Sequence, residues 1–390
     1  MILVLFWVSV ILIIYVYFIF PVLVILRGFL WRQPYRSDEI TLRVSIVIAA
    51  FNESKTIGDK LNNILTLDYP RDQLEVVIAS DGSDDGTNEI VRRYEEYGVR
   101  LLPLPRQGKA RALNAAVAVA NGEILVFSDA NSIYKPDAIQ ALVKPFADPN
   151  IGGVAGNQCY LRNKETDFAG AGESSYWDFD RVMKQFQSNA GNAVSATGAI
   201  YAIRRSLFQT IPEGVTDDFV TSTGVIAQGY RLIFTPDAVA YEPVAESNGM
   251  EFGRKVRVIT RGLRAVFVTR IQLLNPFRYG FYAIQLFSHK ALRRLIVYPL
   301  LLLLLVNPFL WRANIFYQLA MIGQLIFYGF GFLGLLLNGT RLGRMKIFSI
   351  PFYFCLVNAA VLVASMNVLR GQQIKRWEPQ RNVNSDNIKL

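Results

Sequence analysis

Residues Ile2 to Leu26 form an unbroken run without a single charge. A run of about 25 such residues can cross a bilayer core of roughly 30 Å. A cleaved signal peptide would want a basic start, a shorter apolar core and a small-residue cleavage site, and none of these is present. Three more apolar runs lie toward the other end, roughly Leu295 to Leu310, Ile315 to Leu337 and Ile347 to Leu369. Between the two zones the pattern is mixed. Arg43 to Phe51 is nearly continuously apolar after its first residue, as in a strand buried on both faces of a parallel sheet. Ile57, Leu61, Ile64 and Leu65 then follow helical spacing. The alternation continues with a strand at Leu74 to Ala79, a helix around Asn88 to Tyr97, a strand at Val99 to Leu104 and a helix opening at Gln107 to Asn114. A fourth strand, Glu123 to Phe127, leads into a polar run that ends before Pro136, a residue suited to open a helix. Strand, helix, strand, helix predicts an α/β fold of the doubly wound, nucleotide-binding kind.

The second half is less regular. Val154 to Leu161 reads as a strand, Thr166 to Gln187 as a long helix, and Ala199 to Ile203 as a short strand entered through Thr197-Gly198. A helix from Asp217 to Gln228 follows, then strands at Arg231 to Phe234 and Ala238 to Tyr241. From Gly253 onward, Arg254, Arg257, Arg261 and Arg264 share one helical face, and Val256, Ile259, Leu263, Val266 and Phe267 the opposite one. That predicts an amphipathic helix suited to a membrane interface. The expected divisions are a membrane helix at 1–30, a cytoplasmic catalytic domain at 38–250, interfacial helices at 251–292, a membrane region at 293–370 and a polar tail at 371–390.

Composition sharpens this picture. The 52% hydrophobic content is high for a soluble chain of 390 residues. The net charge of +10 invites a nucleic-acid reading, but much of the excess flanks the apolar runs, where anionic lipid accounts for it. Arg27, Arg32 and Arg36 after the first run place the middle segment in the cytoplasm by the positive-inside rule. His289, Lys290, Arg293 and Arg294, and then Arg341, Arg344 and Lys346, agree. Arg370, Lys375 and Arg376 would fall outside if all four runs span, so either the last run, which contains Pro351 and Asn358, is re-entrant or the rule fails there. Cys159 and Cys355 lie in different zones and make neither a disulfide framework nor a metal cluster.

Three acidic clusters, Asp81, Asp129 and Asp217-Asp218, fall at the ends of predicted strands or the start of a helix, and a doubly wound sheet would bring them to one edge. Asp81 could accept from the imide and ribose of a uridine nucleotide, or cap its own turn. Asn52 and Glu53 face the same choice. Asp129, with Asn131 nearby, suits a divalent cation that holds a diphosphate, because magnesium takes most of its ligands from phosphate and water; turn and cap roles are the plainer alternative. Lys109 and Arg111 would add positive charge there. Asp217 and Asp218 repel each other, which raises the proton affinity of one, and a displacement needs such a general base near the acceptor hydroxyl. Acids also favour helix N-termini, and both roles can hold at once. Arg257 and Arg254 suit two phosphate oxygens, or form a lipid-facing stripe. Gln158, Tyr176, Trp177, Thr197 and Tyr201 are candidate wall residues, and His289 reads as structural.

Ala50-Phe51-Asn52-Glu53, Asp81-Gly82-Ser83-Asp84-Asp85-Gly86-Thr87, Gly108-Lys109, Asp129-Ala130-Asn131, Gly198-Ala199 and Asp217-Asp218 together resemble the family-two inverting glycosyltransferases. The set is similar to their membrane-embedded branch of hyaluronan, cellulose, chitin and poly-N-acetylglucosamine synthases, over roughly Val44 to Arg264. The resemblance implies a GT-A fold, a nucleoside-diphosphate-sugar donor of the UDP-sugar type, and a magnesium or manganese ion. It implies Asn52, Glu53 and Asp81 at the nucleotide, Asp129 and Asn131 at the diphosphate and metal, and Asp218 as base beside Asp217 and Arg257. Ala50, Lys109, Ser128 and Arg254 join the candidate donor contacts.

Asn131 stands where many relatives carry a second acid. The Gln-x-x-Arg-Trp box of polysaccharide synthases corresponds to Arg254-Lys255-Val256-Arg257-Val258, which keeps the arginine and lacks the tryptophan. The implied activity is transfer of a sugar to a membrane-proximal acceptor, a saccharide or lipid-linked saccharide, in polysaccharide or glycolipid synthesis. The implied location is multi-pass in a bilayer, the bacterial inner membrane, with polysaccharide-secretion partners. The alternative is a non-catalytic partner of a secretion complex that keeps the fold alone; retention of all three acidic clusters argues against it.

Overall fold

One eight-stranded sheet organises the computed structural model, which describes residues 1–161, 168–243, 248–372 and 374. The chain enters through helix α1 (Ile2–Leu30). It continues as β1 (Val44–Ala50), α2 (Ile57–Leu65), β2 (Leu74–Asp81), α3 (Thr87–Arg92), β3 (Val99–Leu104), α4 (Lys109–Val119) and β4 (Ile124–Asp129). Then come β5 (Ile133–Tyr134), α5 (Ala138–Val143), β6 (Ile151–Leu161), α6 (Phe168–Asn189), β7 (Tyr201–Arg204), α7 (Asp217–Ala227), β8 (Arg231–Pro243) and α8 (Asn248–Arg264). Four helices follow: α9 (Phe281–Leu295), α10 (Val297–Leu310), α11 (Ile315–Leu336) and α12 (Lys346–Leu369).

The strand order is β3-β2-β1-β4-β7-β6-β8-β5. β1 is buried along its whole length, as its continuous apolar run requires, and pairs in parallel with β2 and β4. Its register sets Ala50 beside Ser80 and Ala49 beside Asp129, so the acids ending β2 and β4 emerge at the same edge. β7 is antiparallel to β4 and β6, which makes the sheet mixed. One face is covered by Ile57, Leu61 and Ile64 of α2 with Ile139 and Leu142 of α5. The other is covered by Leu113 and Ala116 of α4 with Phe219, Val225 and Ile226 of α7. Burying each large aliphatic side chain contributes about 1.5–3 kcal/mol, so these two layers hold the sheet edge rigid. This is the expected α/β, GT-A arrangement.

Several predicted boundaries move, and one strand is new. The strands at Arg231 and Ala238 are one strand, because a register shift against β6 between Ala155 and Asn157 absorbs the Thr235-Pro236-Asp237 segment, and Asn157 Nδ2 donates to the Pro236 carbonyl at 3.0 Å. Such a bulge lets a proline sit inside a paired strand. Pro136 precedes the helix rather than opening it, since α5 starts at Ala138. Ile133 and Tyr134 form the short β5 against β8, a pairing two residues cannot announce in sequence.

α1, α11 and α12 are each long and apolar enough to cross a membrane, and α9 with α10, bent by 47° at their junction, would make a fourth if they form one broken span. α12 runs unbroken through Pro351, and the Asn358 amide donates to the Phe354 carbonyl at 2.8 Å. Phe20 and Val24 of α1 pack against Met183 of α6. The apolar stripe of α8, Ile259 and Leu263, packs on Ala360, Val361 and Ala364 of α12, so a protein surface covers it. The side chains of Tyr176 and Trp177, and residues 375–390 of the tail, lie outside the described residues.

Candidate active site

The loop after β1 turns at Asn52, whose φ of 52° is a left-handed conformation that asparagine tolerates better than most residues. Asn52 clasps the loop after β2: its Nδ2 donates to Asp84 Oδ1 at 2.8 Å, and its Oδ1 accepts from the Asp84 amide at 3.0 Å. The Glu53 amide donates to Thr87 Oγ1 at 2.9 Å. Ala50 lies fully buried at the end of β1.

Asp81, 1% exposed, accepts from the Gln107 amide at 2.7 Å, the Gly108 amide at 2.9 Å and the Arg106 guanidinium at 3.1 Å. Arg106 also lies over the Phe51 ring, 3.0 Å from its centroid. Gly108 adopts φ 103°, a conformation open to glycine, and this turn delivers Lys109 as the first residue of α4.

Lys109 joins two of the acidic clusters. Its ammonium lies 2.7 Å from Asp129 Oδ1 and 3.1 Å from Asp217 Oδ2, with only 13% of the side chain exposed. Burial opposes that charge, but the two carboxylates outweigh it and hold the ammonium above its ordinary pKa. Gly198 gives Asp129 its room: a Cβ there would stand 2.9 Å from Asp129 Oδ2. Asp217 and Asp218 do not end a strand, since β7 stops at Arg204; they open α7, the helix N-terminus whose dipole favours acids, and Asp218 Oδ1 accepts from the Phe219 amide at 2.7 Å. Burial, and then the Asp217 charge, push the Asp218 carboxyl up to about 6 against the opposing charge of Lys109.

Around these acids several buried polar atoms have no hydrogen-bond partner among the described residues: Asn131 Nδ2, Thr197 Oγ1 and Thr216 Oγ1, while Tyr201 and Thr221 have only each other. Tyr201 stacks on Phe127 with centroids 4.8 Å apart, and burial together with the charges of Asp217, Asp218 and Asp129 raises its phenol well above the usual value. Unsatisfied buried groups cost about 1–3 kcal/mol each, so a cluster of them marks a place built for a polar occupant.

Ser128 turns beneath the strand end, its hydroxyl 3.0 Å from Ser132 Oγ. Arg111 pairs with Glu213 at 2.6 Å. Gln158 donates to Glu242 Oε2 at 2.6 Å. Arg254 and Arg257 are half-buried on α8. One turn beyond Arg257, Arg261 donates to the Val215 carbonyl at 2.9 Å through Nε and lies 3.8 Å from Asp217 Oδ1. Sequence reading placed Arg261 only in the cationic stripe; four arginines at helical spacing carry no signal of which one reaches the acids. His289 is buried, with Nδ1 3.0 Å from Gln187 Nε2.

Among the described residues no three His, Cys, Asp or Glu side chains form a metal-binding group. A magnesium or manganese ion completed by diphosphate oxygens and water needs only one or two carboxylates. Asp129, already facing a cation and relieved of a side chain at Gly198, fits that need, with the buried Asn131 beside it.

Residues 45–211 match the family described as Glycosyl transferase family 2. The chain is similar to poly-beta-1,6-N-acetyl-D-glucosamine synthases. The protein of Staphylococcus aureus (strain COL) is 26% identical over 249 residues, covering 62% of this chain and 60% of its own. That of Staphylococcus epidermidis is 28% identical over 221 residues, covering 55% and 53%. The chain therefore spans about three fifths or less of these relatives' length. Among solved structures, the mannosyltransferase PcManGT from Pyrobaculum calidifontis, in complex with GDP-Man and Mn2+, aligns with a TM-score of 0.69 at 25% identity, over 95% of this chain and 100% of that one.

Proposed function

We propose that this chain, which carries a glycosyl transferase family 2 domain over residues 45–211, moves a sugar with inversion from a nucleoside-diphosphate sugar to a membrane-proximal saccharide or lipid-linked acceptor. One observation carries the reading: Asp129 and Asp217 converge on Lys109 at the sheet edge, with Asp218 next in line. Asn52, Glu53 and Asp81 line the nucleotide side. Lys109, Arg257 and Arg254 supply positive charge to the diphosphate. A magnesium or manganese ion held by Asp129, with Asn131 beside it, would draw charge from the departing diphosphate. Asp218 accepts the proton of the acceptor hydroxyl. The acceptor oxygen so freed forms a bond to the anomeric carbon as the bond to the diphosphate breaks on the opposite face. A carboxyl near 6 suits this task, because it is ionised at neutral pH yet holds a proton better than a free aspartate.

The staphylococcal synthases support a product in polysaccharide synthesis, and PcManGT, in complex with GDP-Man and Mn2+, supports a nucleotide-sugar donor with a divalent ion. The reading places the segment 38–250 in the cytoplasm, with α1 and the helices after α8 in the bilayer. The test is purified full-length protein in detergent, manganese, and a panel of labelled UDP- and GDP-sugars, with Asp218→Asn as control. Turnover or hydrolysis of one donor, lost in the variant, supports the reading. No turnover of any donor, or a variant as active as wild type, ends it. Product length then separates single addition from polymer synthesis.

A further inference from the structure

Lys60 takes no part in the reading above, yet its side chain is fully buried. Burying an ammonium costs several kcal/mol unless something repays it, so its surroundings indicate what it serves. Docking α2 does not require it. Asn63, three residues on and on the same face, already ties α2 to β5 by donating to the Tyr134 carbonyl at 2.9 Å and accepting from the Tyr134 amide at 2.7 Å. Ile57, Leu61 and Ile64 supply the packing.

What the ammonium adds is a charged donor aimed at one turn. Lys60 Nζ lies 2.6 Å from the Ser132 carbonyl and 3.5 Å from its hydroxyl, with the Tyr134 ring 3.5 Å away on another side. Ser132 closes the turn that Asp129 opens: its hydroxyl donates to the Asp129 carbonyl at 2.9 Å and lies 3.1 Å from the Ala199 carbonyl. The ammonium is thus one link from the Asp129 backbone. Burial pushes its pKa down to about 7, and the charges of Asp129 and Glu242 are what favour its protonated form.

We propose that Lys60 is a positioning residue of the donor site: its ammonium clamps the Asp129–Ser132 turn so that the Asp129 carboxylate meets the diphosphate end of the donor. The proposal rests on the donor reading given above. It explains a lysine where a methionine would pack as well, since a charged hydrogen bond holds a carbonyl more firmly than a neutral one.

The test is calorimetry on the full-length chain in detergent, with GDP and with UDP, each in the presence of manganese. For whichever nucleotide wild type binds, Lys60→Met lowers affinity about tenfold or more, as loss of one charged hydrogen bond predicts. Its thermal midpoint stays near wild type, because removal of a buried ammonium offsets the stranded Ser132 carbonyl and the apolar stem is kept. Lys60→Gln, which keeps a donor for the Ser132 carbonyl, loses about threefold and decides the matter if Lys60→Met does not fold. Affinity within about twofold of wild type in either variant overturns the proposal, as does a loss matched by a falling midpoint, the mark of general loosening. Binding of neither nucleotide by wild type, or Asp129→Asn binding as wild type does, overturns the donor reading itself and the proposal with it; that failure shows without any change at Lys60.

Discussion

Along the ends of β1 and β2 the polar groups are committed to one another: Asp81 takes two amides and a guanidinium, Asn52 clasps Asp84, and the Glu53 amide meets Thr87. Toward β7 and the start of α7, the hydroxyls of Thr197 and Thr216 are buried without a partner among the described residues, and Arg261 reaches in from a helix whose other face rests on α12. The first wall comes from three loops between Asn52 and Gly108, and its polar groups pair with one another. The second is assembled from more distant segments and leaves hydroxyls unpaired among the described residues. On the proposed reading, nucleotide recognition belongs to the self-satisfied wall. Acceptor recognition belongs to the wall that depends on how the membrane helices dock.

The contrast can be broken most severely at Asp218. Asp218→Asn is expected to reduce sugar transfer by about a thousandfold, the range for loss of a general base, while calorimetric binding of the nucleotide with manganese stays near wild type. A parallel loss of binding would place Asp218 on the donor side. Next is Gly198→Ala, whose Cβ would meet Asp129 Oδ2 at 2.9 Å. Displacing that carboxylate should weaken nucleotide binding and cut turnover by about a hundredfold. Equal half-saturation by manganese in variant and wild type would contradict this.

Arg261→Met tests whether α8 serves the acceptor wall. It strands the Val215 carbonyl and removes the cation 3.8 Å from Asp217, so about tenfold lower turnover is expected with nucleotide affinity unchanged. The smallest effect is in the pH profile. A base whose carboxyl lies near 6 must be ionised to act, so turnover rises with pH through about 6 and then levels. Asp217→Asn removes a charge that raises this value, so the acid limb moves to lower pH. A limb that stays put, or moves up, would assign the titration to another group.

Much of this architecture was legible before any coordinates. The continuous apolar run of β1, the helical spacing of α2 and the acids closing β2 and β4 predict a doubly wound sheet with a polar edge, because period and strand ends are local properties. Lys60 left a fainter trace: three residues after Ile57 and four before Ile64, it falls on the apolar face of α2, where a lysine is out of place. The stripe on α8 was legible as amphipathic, but its apolar partner was not, since Ala360 and Val361 lie about a hundred residues away on a helix that reads only as lipid-facing.

The sequence alone determined that the chain alternates strand and helix, that Asp81 and Asp129 sit where strands end, and that apolar runs flank the mixed middle segment. All of these follow from side-chain period and from the cost of burying charge. Only the tertiary structure decided that Lys109 lies between Asp129 and Asp217, that Arg261 comes within 3.8 Å of Asp217, and that Lys60 lies beneath the turn carrying Asp129. Those contacts join residues far apart in the chain, and which cation meets which carboxylate depends on the packing of the layers between them.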